Sequence, residues 1–160
     1  MQAIIPVIQA FHRVRQIYWK IFEPTILGVR ALITNQEKVL LVRHTYTQGW
    51  YLPGGKVDRG ETIYSAVCRE VIEECGLKVK KAQLSAVYSN INQNRNDHIA
   101  LFCINDFEVL ENSPLESKQS NLEIAEVSFF PINNLPTSTT PGTLRRLEEF
   151  KRQSFDSEYW

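Results

Sequence analysis

Residues 62–75 constrain this chain more than any other stretch. Thr62 can open a helix, Gly76 supplies the left-handed position that commonly closes one, and no proline or glycine interrupts between them. At about 100° per residue, Glu70, Glu73 and Glu74 fall within an arc of roughly 100°. Ile63, Tyr64, Val67, Cys68, Val71, Ile72 and Cys75 take the adjoining half of the cylinder, so the spacing predicts a largely buried helix with its carboxylates at the rim of the core.

Such a helix is costly by itself. Like charges three and four residues apart repel by a few tenths of a kcal/mol per pair when exposed, and by more when partly desolvated. Glu73 and Glu74 also lie in the last turn, at the negative end of the helix dipole, where a basic side chain is preferred. Arg69 can reach Glu73, but one guanidinium does not neutralise three carboxylates. A divalent cation does. All-oxygen donors suit the hard ions Mg²⁺, Mn²⁺ and Ca²⁺, and Mg²⁺ commonly shares its coordination between a few carboxylates, water and phosphate oxygens.

The remaining sequence bounds the setting. Eighteen basic residues balance eighteen acidic ones over 160 residues, so no global positive field favours a nucleic-acid backbone, and phosphate chemistry must be local. Cys68, Cys75 and Cys103 form no zinc spacing with His12, His44 or His98, and a reducing cytoplasm fits. No signal-peptide pattern opens the chain and no apolar run is long enough to span a bilayer.

Val7, Phe11, Val14, Tyr18 and Phe22 predict an amphipathic helix within residues 1–24, appended to one domain of residues 25–160. A docked lid, a homodimer contact and an interfacial membrane helix are three readings of it. Residues 26–34 and 38–44 read as a β-hairpin around Asn35-Gln36-Glu37, and Trp50, Tyr51 and Leu52 as a short extended piece before Pro53. Strands are expected at 79–89, 98–108 and 124–130, a tight turn at 131–135, and a closing helix over 143–153 with Leu144, Leu147 and Phe150 inward. The polar stretches 90–97 and 111–121 are candidate substrate loops. The order implies an α/β fold, a mixed sheet with helices on both faces.

Gly55, Glu61, Arg69, Glu70, Glu73, Glu74, Cys75, Gly76 and Leu77 stand at the spacing of an unbroken Nudix box, and the chain resembles the Nudix hydrolase family over most of residues 26–150. The resemblance implies a Nudix-like α/β/α sandwich. It implies that Glu70, Glu73 and Glu74, with Gly55, hold Mg²⁺ (or Mn²⁺), that Arg69 orients the glutamates, that Gly54 and Gly55 admit substrate phosphate, and that Glu61 supports the loop or a metal-bound water. Members usually add a carboxylate from outside the box; Glu123 is the candidate here and Glu126 the second. The general base stays open among Glu73, Glu74 and Glu123.

The reaction implied is attack of metal-activated water on a phosphorus of a nucleoside diphosphate linked to another moiety. The alternative is a catalytically silent Nudix-like module that binds a nucleotide metabolite as a sensor, against which the intact carboxylates argue. Trp50 and Tyr51 can serve either as base-stacking faces or as core, while His44 and His98 read as structural or surface residues. Residues 92–95 carry neither the proline nor the tyrosine that marks some Nudix subfamilies, so the substrate is not legible here.

Overall fold

The structure, a computed structural model, describes residues 25–92, 95–117 and 123–160. The amphipathic helix expected within residues 1–24 lies outside them. Five strands, β1 (Ile26–Asn35), β2 (Lys38–His44), β3 (Leu77–Asn92), β4 (Arg95–Val109) and β5 (Ile124–Pro131), form one mixed sheet in the order β3-β4-β1-β2-β5. Only β1 and β4 run parallel; the other pairs are antiparallel.

Strand alternation sorts apolar side chains onto two faces. Val29, Ala31, Ile33, Leu40, Val42, Ala100, Phe102 and Ile104 pack beneath helix α1 (Ile63–Cys75), which contributes Ala66, Val67, Val71 and Cys75. Leu32, Val39, Leu41, Leu101 and Tyr88 face the other way, against Leu147 and Phe150 of helix α3 (Pro141–Arg152). The result is the expected helix–sheet–helix sandwich. A short helix α2 (Pro114–Ser117) falls in the stretch 111–121 read as a loop; residues 118–121 of that stretch lie outside the described residues.

β1 and β2 pair only beside their turn, at Thr34↔Val39 and Asn35↔Lys38, where Gln36 takes the left-handed conformation at φ 55°. Beyond it they part, and residues 50–57 fill the gap. Val42 and Tyr51 exchange backbone hydrogen bonds (3.0 and 2.9 Å), and the amides of Ala31 and Val29 donate to the carbonyls of Pro53 and Gly55, both at 2.8 Å. The glycine pair is thus woven into the middle of the sheet.

Three expectations need correction. Of the stretch 90–97 read as a loop, residues 93 and 94 lie outside the described residues and the rest is strand: Asn90↔Asp97, Ile91↔Asn96 and Asn92↔Arg95 continue the β3–β4 ladder, because backbone pairing is indifferent to polar side chains. Leu144 is exposed, since α3 turns Leu147 to the sheet instead. Tyr64 and Ile72 are exposed as well; α1 buries a stripe, not half its surface.

Candidate active site

Local chemistry sets both ends of α1. The Thr62 hydroxyl accepts from the Ser65 amide (3.0 Å), and Gly76, at φ 65°, donates to the Ile72 carbonyl (2.9 Å). Between these caps the three glutamates meet different surroundings. Glu73 is the exposed one, its side chain 58% accessible. Glu70 is mostly covered and stands against Gly55, where an added Cβ would lie 2.5 Å from its Oε1. Glu74 is buried, and its Oε2 accepts from the Gly54 amide at 2.7 Å.

The glycine pair is required by this packing. Gly54 adopts φ 133°, and a Cβ there would meet the Val29 carbonyl oxygen at 2.2 Å. Backbone of β1 leaves no room for a side chain at Gly54, whereas a side chain at Gly55 would displace the Glu70 carboxylate.

Arg69 gathers the other carboxylates. Its Nε and Nη2 donate to the two oxygens of Glu61 (3.0 and 2.9 Å), Nη1 to Glu70 (2.8 Å) and Glu73 (3.2 Å), and Nη2 also to the Lys56 carbonyl (3.1 Å). The bidentate bond, helped by the Asp58 amide, holds the Glu61 carboxyl below its ordinary range. No basic residue occupies the last turn of α1, so Glu74 lacks the local neutralisation that Arg69 gives its neighbours.

Burial therefore dominates at Glu74, lifting its carboxyl to about 7, with the Gly54 amide opposing. Glu70 is also raised by burial, with Arg69 pulling the other way. Among the described residues no three His, Cys, Asp or Glu side chains are grouped closely enough to hold an ion as they stand. The donor set nonetheless fits a hard cation: two desolvated carboxylates flank a bare glycine backbone, a charge arrangement that a divalent ion would offset.

Four residues not singled out by the sequence reading for this centre stand around it. Arg30 donates to the carbonyls of Leu52 (3.2 Å) and Gly54, and its charge acts on Glu70, Glu74 and His44. Its signal was a lone cation in the otherwise apolar run of β1. His44 is buried, with Nε2 4.0 Å from Glu74 Oε1; burial lowers its pKa, so the contact is not an ion pair near neutrality. The Tyr46 hydroxyl donates to Glu123 Oε1 at 3.3 Å. Gln48 accepts through its carbonyl from the Tyr51 hydroxyl (2.9 Å), which holds the intervening loop.

Glu123 thus stands near the helix carboxylates, and its charge raises Glu74 further. Glu126 instead pairs with Arg43 at 2.9 Å. Trp50 belongs to the core, its ring 4.7 Å from Phe130, and His98 lies within β4.

Comparison with known proteins gives the family. The NUDIX domain model matches residues 24–153. The chain belongs to the Nudix family. It is a Nudix hydrolase, similar to the ADP-ribose pyrophosphatase of Methanocaldococcus jannaschii, with 31% identity over 74% of this chain and 69% of that protein. It is also similar to the 8-oxo-dGDP phosphatase of Homo sapiens, 29% identical over 77% of this chain but 37% of that one. Its fold matches a MutT NUDIX hydrolase from Burkholderia pseudomallei at TM-score 0.67 and 27% identity, covering 78% of this chain and 97% of that structure. Among the described residues no helix of this Nudix hydrolase is long and apolar enough to cross a membrane.

Proposed function

We propose that the protein hydrolyses the phosphoanhydride bond of a nucleoside diphosphate linked to a further moiety, with Mg²⁺ held by Glu70, Glu73 and Glu74 beside Gly55. The observation that carries this reading is the pair of desolvated carboxylates, Glu70 and Glu74, set against the Gly54-Gly55 backbone. The names of the two relatives add support, since ADP-ribose and 8-oxo-dGDP are both nucleoside diphosphate compounds.

In this reading each residue has a task. Arg69 fixes Glu70 and Glu73 while tying them to Glu61, so the loop before α1 and the helix keep one geometry. The Gly54 amide orients Glu74, and Gly55 lets phosphate approach bare backbone. Mg²⁺, when bound, supplies the positive charge that acidifies water and screens the departing phosphate. Glu73, Glu74 and Glu123 are the groups able to take the proton of the attacking water. Residues 25–160 act as the catalytic unit, with residues 1–24 appended, and the free thiols of Cys68, Cys75 and Cys103 suit a reducing cytoplasm.

The test is chromatographic detection of the two phosphate-ester products of anhydride cleavage from a panel of nucleotide sugars, dinucleotides, ADP-ribose and oxidised nucleotides, with Mg²⁺ and with chelator, for wild type, Glu73→Gln, Glu74→Gln and Glu123→Gln. Metal-dependent turnover that falls in the variants is expected, and the variant that loses the acidic limb of the rate profile names the base. Equal rates for wild type and Glu74→Gln on the best substrate would overturn the reading.

A further inference from the structure

The two faces of the sheet are covered unequally. On one, α3 and residues 154–160 bury Tyr88 and Leu101 completely, with Phe155 and Trp160 packed over them. On the other, α1 stops short of the end of the sheet where β1 begins. The register Leu27↔His98 and Val29↔Ala100, continued by Ser89↔His98, Val87↔Ala100 and Leu84↔Phe102, puts Leu27, Leu84 and Val87 on the face that carries Ala100 and Phe102, and alternation adds Ile91. A bulge between Leu84 and Ala86 keeps Leu84 and Val87 on that face together. Tyr64, at the start of α1, extends the patch, its ring edge-on to Phe102 at 6.3 Å. These five side chains are between 37% and 65% exposed, and a run of large apolar residues left open on one face marks a contact surface.

The chain itself arrives at this end of the sheet. Thr25 leads directly into Ile26, which pairs with Asp97 one step before Leu27. Upstream, Val7, Phe11, Val14, Tyr18, Ile21 and Phe22 fall within an arc of roughly 100° when placed on a helix. The lengths match as well. Residues 7–22 span about 24 Å as a helix, and the seven steps from Leu84 to Ile91 span about 23 Å along β3. Glu23, Pro24 and Thr25 join the two, a connection within the length of about 2–6 residues that returns a helix onto the strand it feeds.

We propose that residues 7–22 form a helix that docks on this face of their own chain, antiparallel to β1 and beside the start of α1. Docking is independent of the reaction proposed above. The direction fixes the order of contacts: Phe22 and Tyr18 lie over Ile91 and Leu27, and Val14 and Phe11 over Val87 and Leu84. A connection of three residues holds the segment beside its own sheet at a high effective concentration, which favours this occupant over the same segment of a second copy. A membrane surface is disfavoured by the polar side of the helix, where Gln9, His12 and Gln16 leave Arg13 and Lys20 as the basic residues.

Nuclear Overhauser contacts in the full chain, with labelled Leu, Val and Ile methyl groups, read the docking directly. The Phe11 ring should meet the Leu84 methyls and the Tyr18 ring those of Leu27 and Ile91, with the same intensity when labelled protein is diluted into unlabelled. A thermal double-mutant cycle adds the energetics. Tyr18→Ser and Ile91→Thr should each lower the melting temperature by about 3 °C or more, and the double variant should fall no further than the weaker of the two singles.

Absence of these contacts would overturn the proposal, as would contacts in the reverse order or contacts that fade on dilution into unlabelled chain, the mark of a second copy. Ring contacts that form only with vesicles of phosphatidylcholine and phosphatidylglycerol would do the same. So would additive losses in the cycle, or an Ile91→Thr variant that melts with wild type, since threonine keeps the β-branch and costs little on a face left to water.

Discussion

Glu74→Gln tests whether a buried, uncompensated carboxylate sits at the heart of the site. In the folded protein burial lifts this carboxyl from 4.5 to about 7. A raised folded value means that the folded state holds the proton more tightly, so the neutral form is favoured at low pH and stability drains away as pH climbs through the folded value. At about 1.4 kcal/mol per unit, wild type without metal should lose about 2–3 kcal/mol from this group between about pH 5 and about pH 8. For a chain of this length that is about 5–10 °C in melting temperature.

Glutamine keeps an oxygen for the Gly54 amide and carries no charge to desolvate. Glu70, also raised by burial, is present in both proteins and cancels in the comparison. Thermal or urea unfolding in chelator should therefore find the two within about 1 kcal/mol at about pH 5, with Glu74→Gln ahead by about 2–3 kcal/mol at about pH 8. Saturating Mg²⁺ should restore wild type at the higher pH and do far less for the variant. Parallel pH dependence for both proteins in chelator would refute the reasoning, since it would mean that Glu74 titrates as an ordinary surface carboxyl.

Other perturbations separate the fold from the site. Gly54→Ala forces a side chain at φ 133° into the Val29 carbonyl and should cost about 1–3 kcal/mol or more in unfolding experiments. Gly55→Ala pushes instead on the Glu70 carboxylate, so its main effect should be weaker Mg²⁺ binding by calorimetry with a smaller change in melting temperature. Arg69→Ala releases Glu61, Glu70 and Glu73 together and should lower metal affinity or turnover by about 10–100-fold, with Arg69→Lys recovering only part because it lacks the bidentate fork. Arg146→Ala leaves Glu149 buried beside Tyr88 without its guanidinium and should destabilise the fold by about 3–5 kcal/mol in denaturant titration.

The strands and helices of the domain were largely legible because their signals are local. Thr62 and Gly76 cap α1 as their chemistry predicts, and the turn at residues 35–37 joins two apolar runs into a hairpin. Misreadings arose where a distant partner decides. Residues 90–97 looked like a loop because they are polar, yet residues 90–92 of β3 pair with residues 95–97 of β4. Residues 154–160 went unread in the sequence, and in the fold the Ser89 amide donates to the Glu158 carbonyl and the Trp160 amide to the Ser89 carbonyl, laying this segment along β3 with the Trp160 ring edge-on to Tyr88.

The helix that opened the argument divides the same way. Its register, its caps and the spacing of Arg69, Glu70, Glu73 and Glu74 follow from sequence alone, because helical periodicity and capping depend on neighbours within four residues. That Glu74 is buried while Glu73 remains exposed was decided only when residues 50–57 wedged between β1 and β2 and brought the Gly54 amide onto the Glu74 carboxylate. The same packing consigned Trp50 to the core and left Tyr46 at the surface beside Glu123. Desolvation, and with it the charge state of a carboxylate, depends on which segments come to lie over it, and that is a property of the assembled fold.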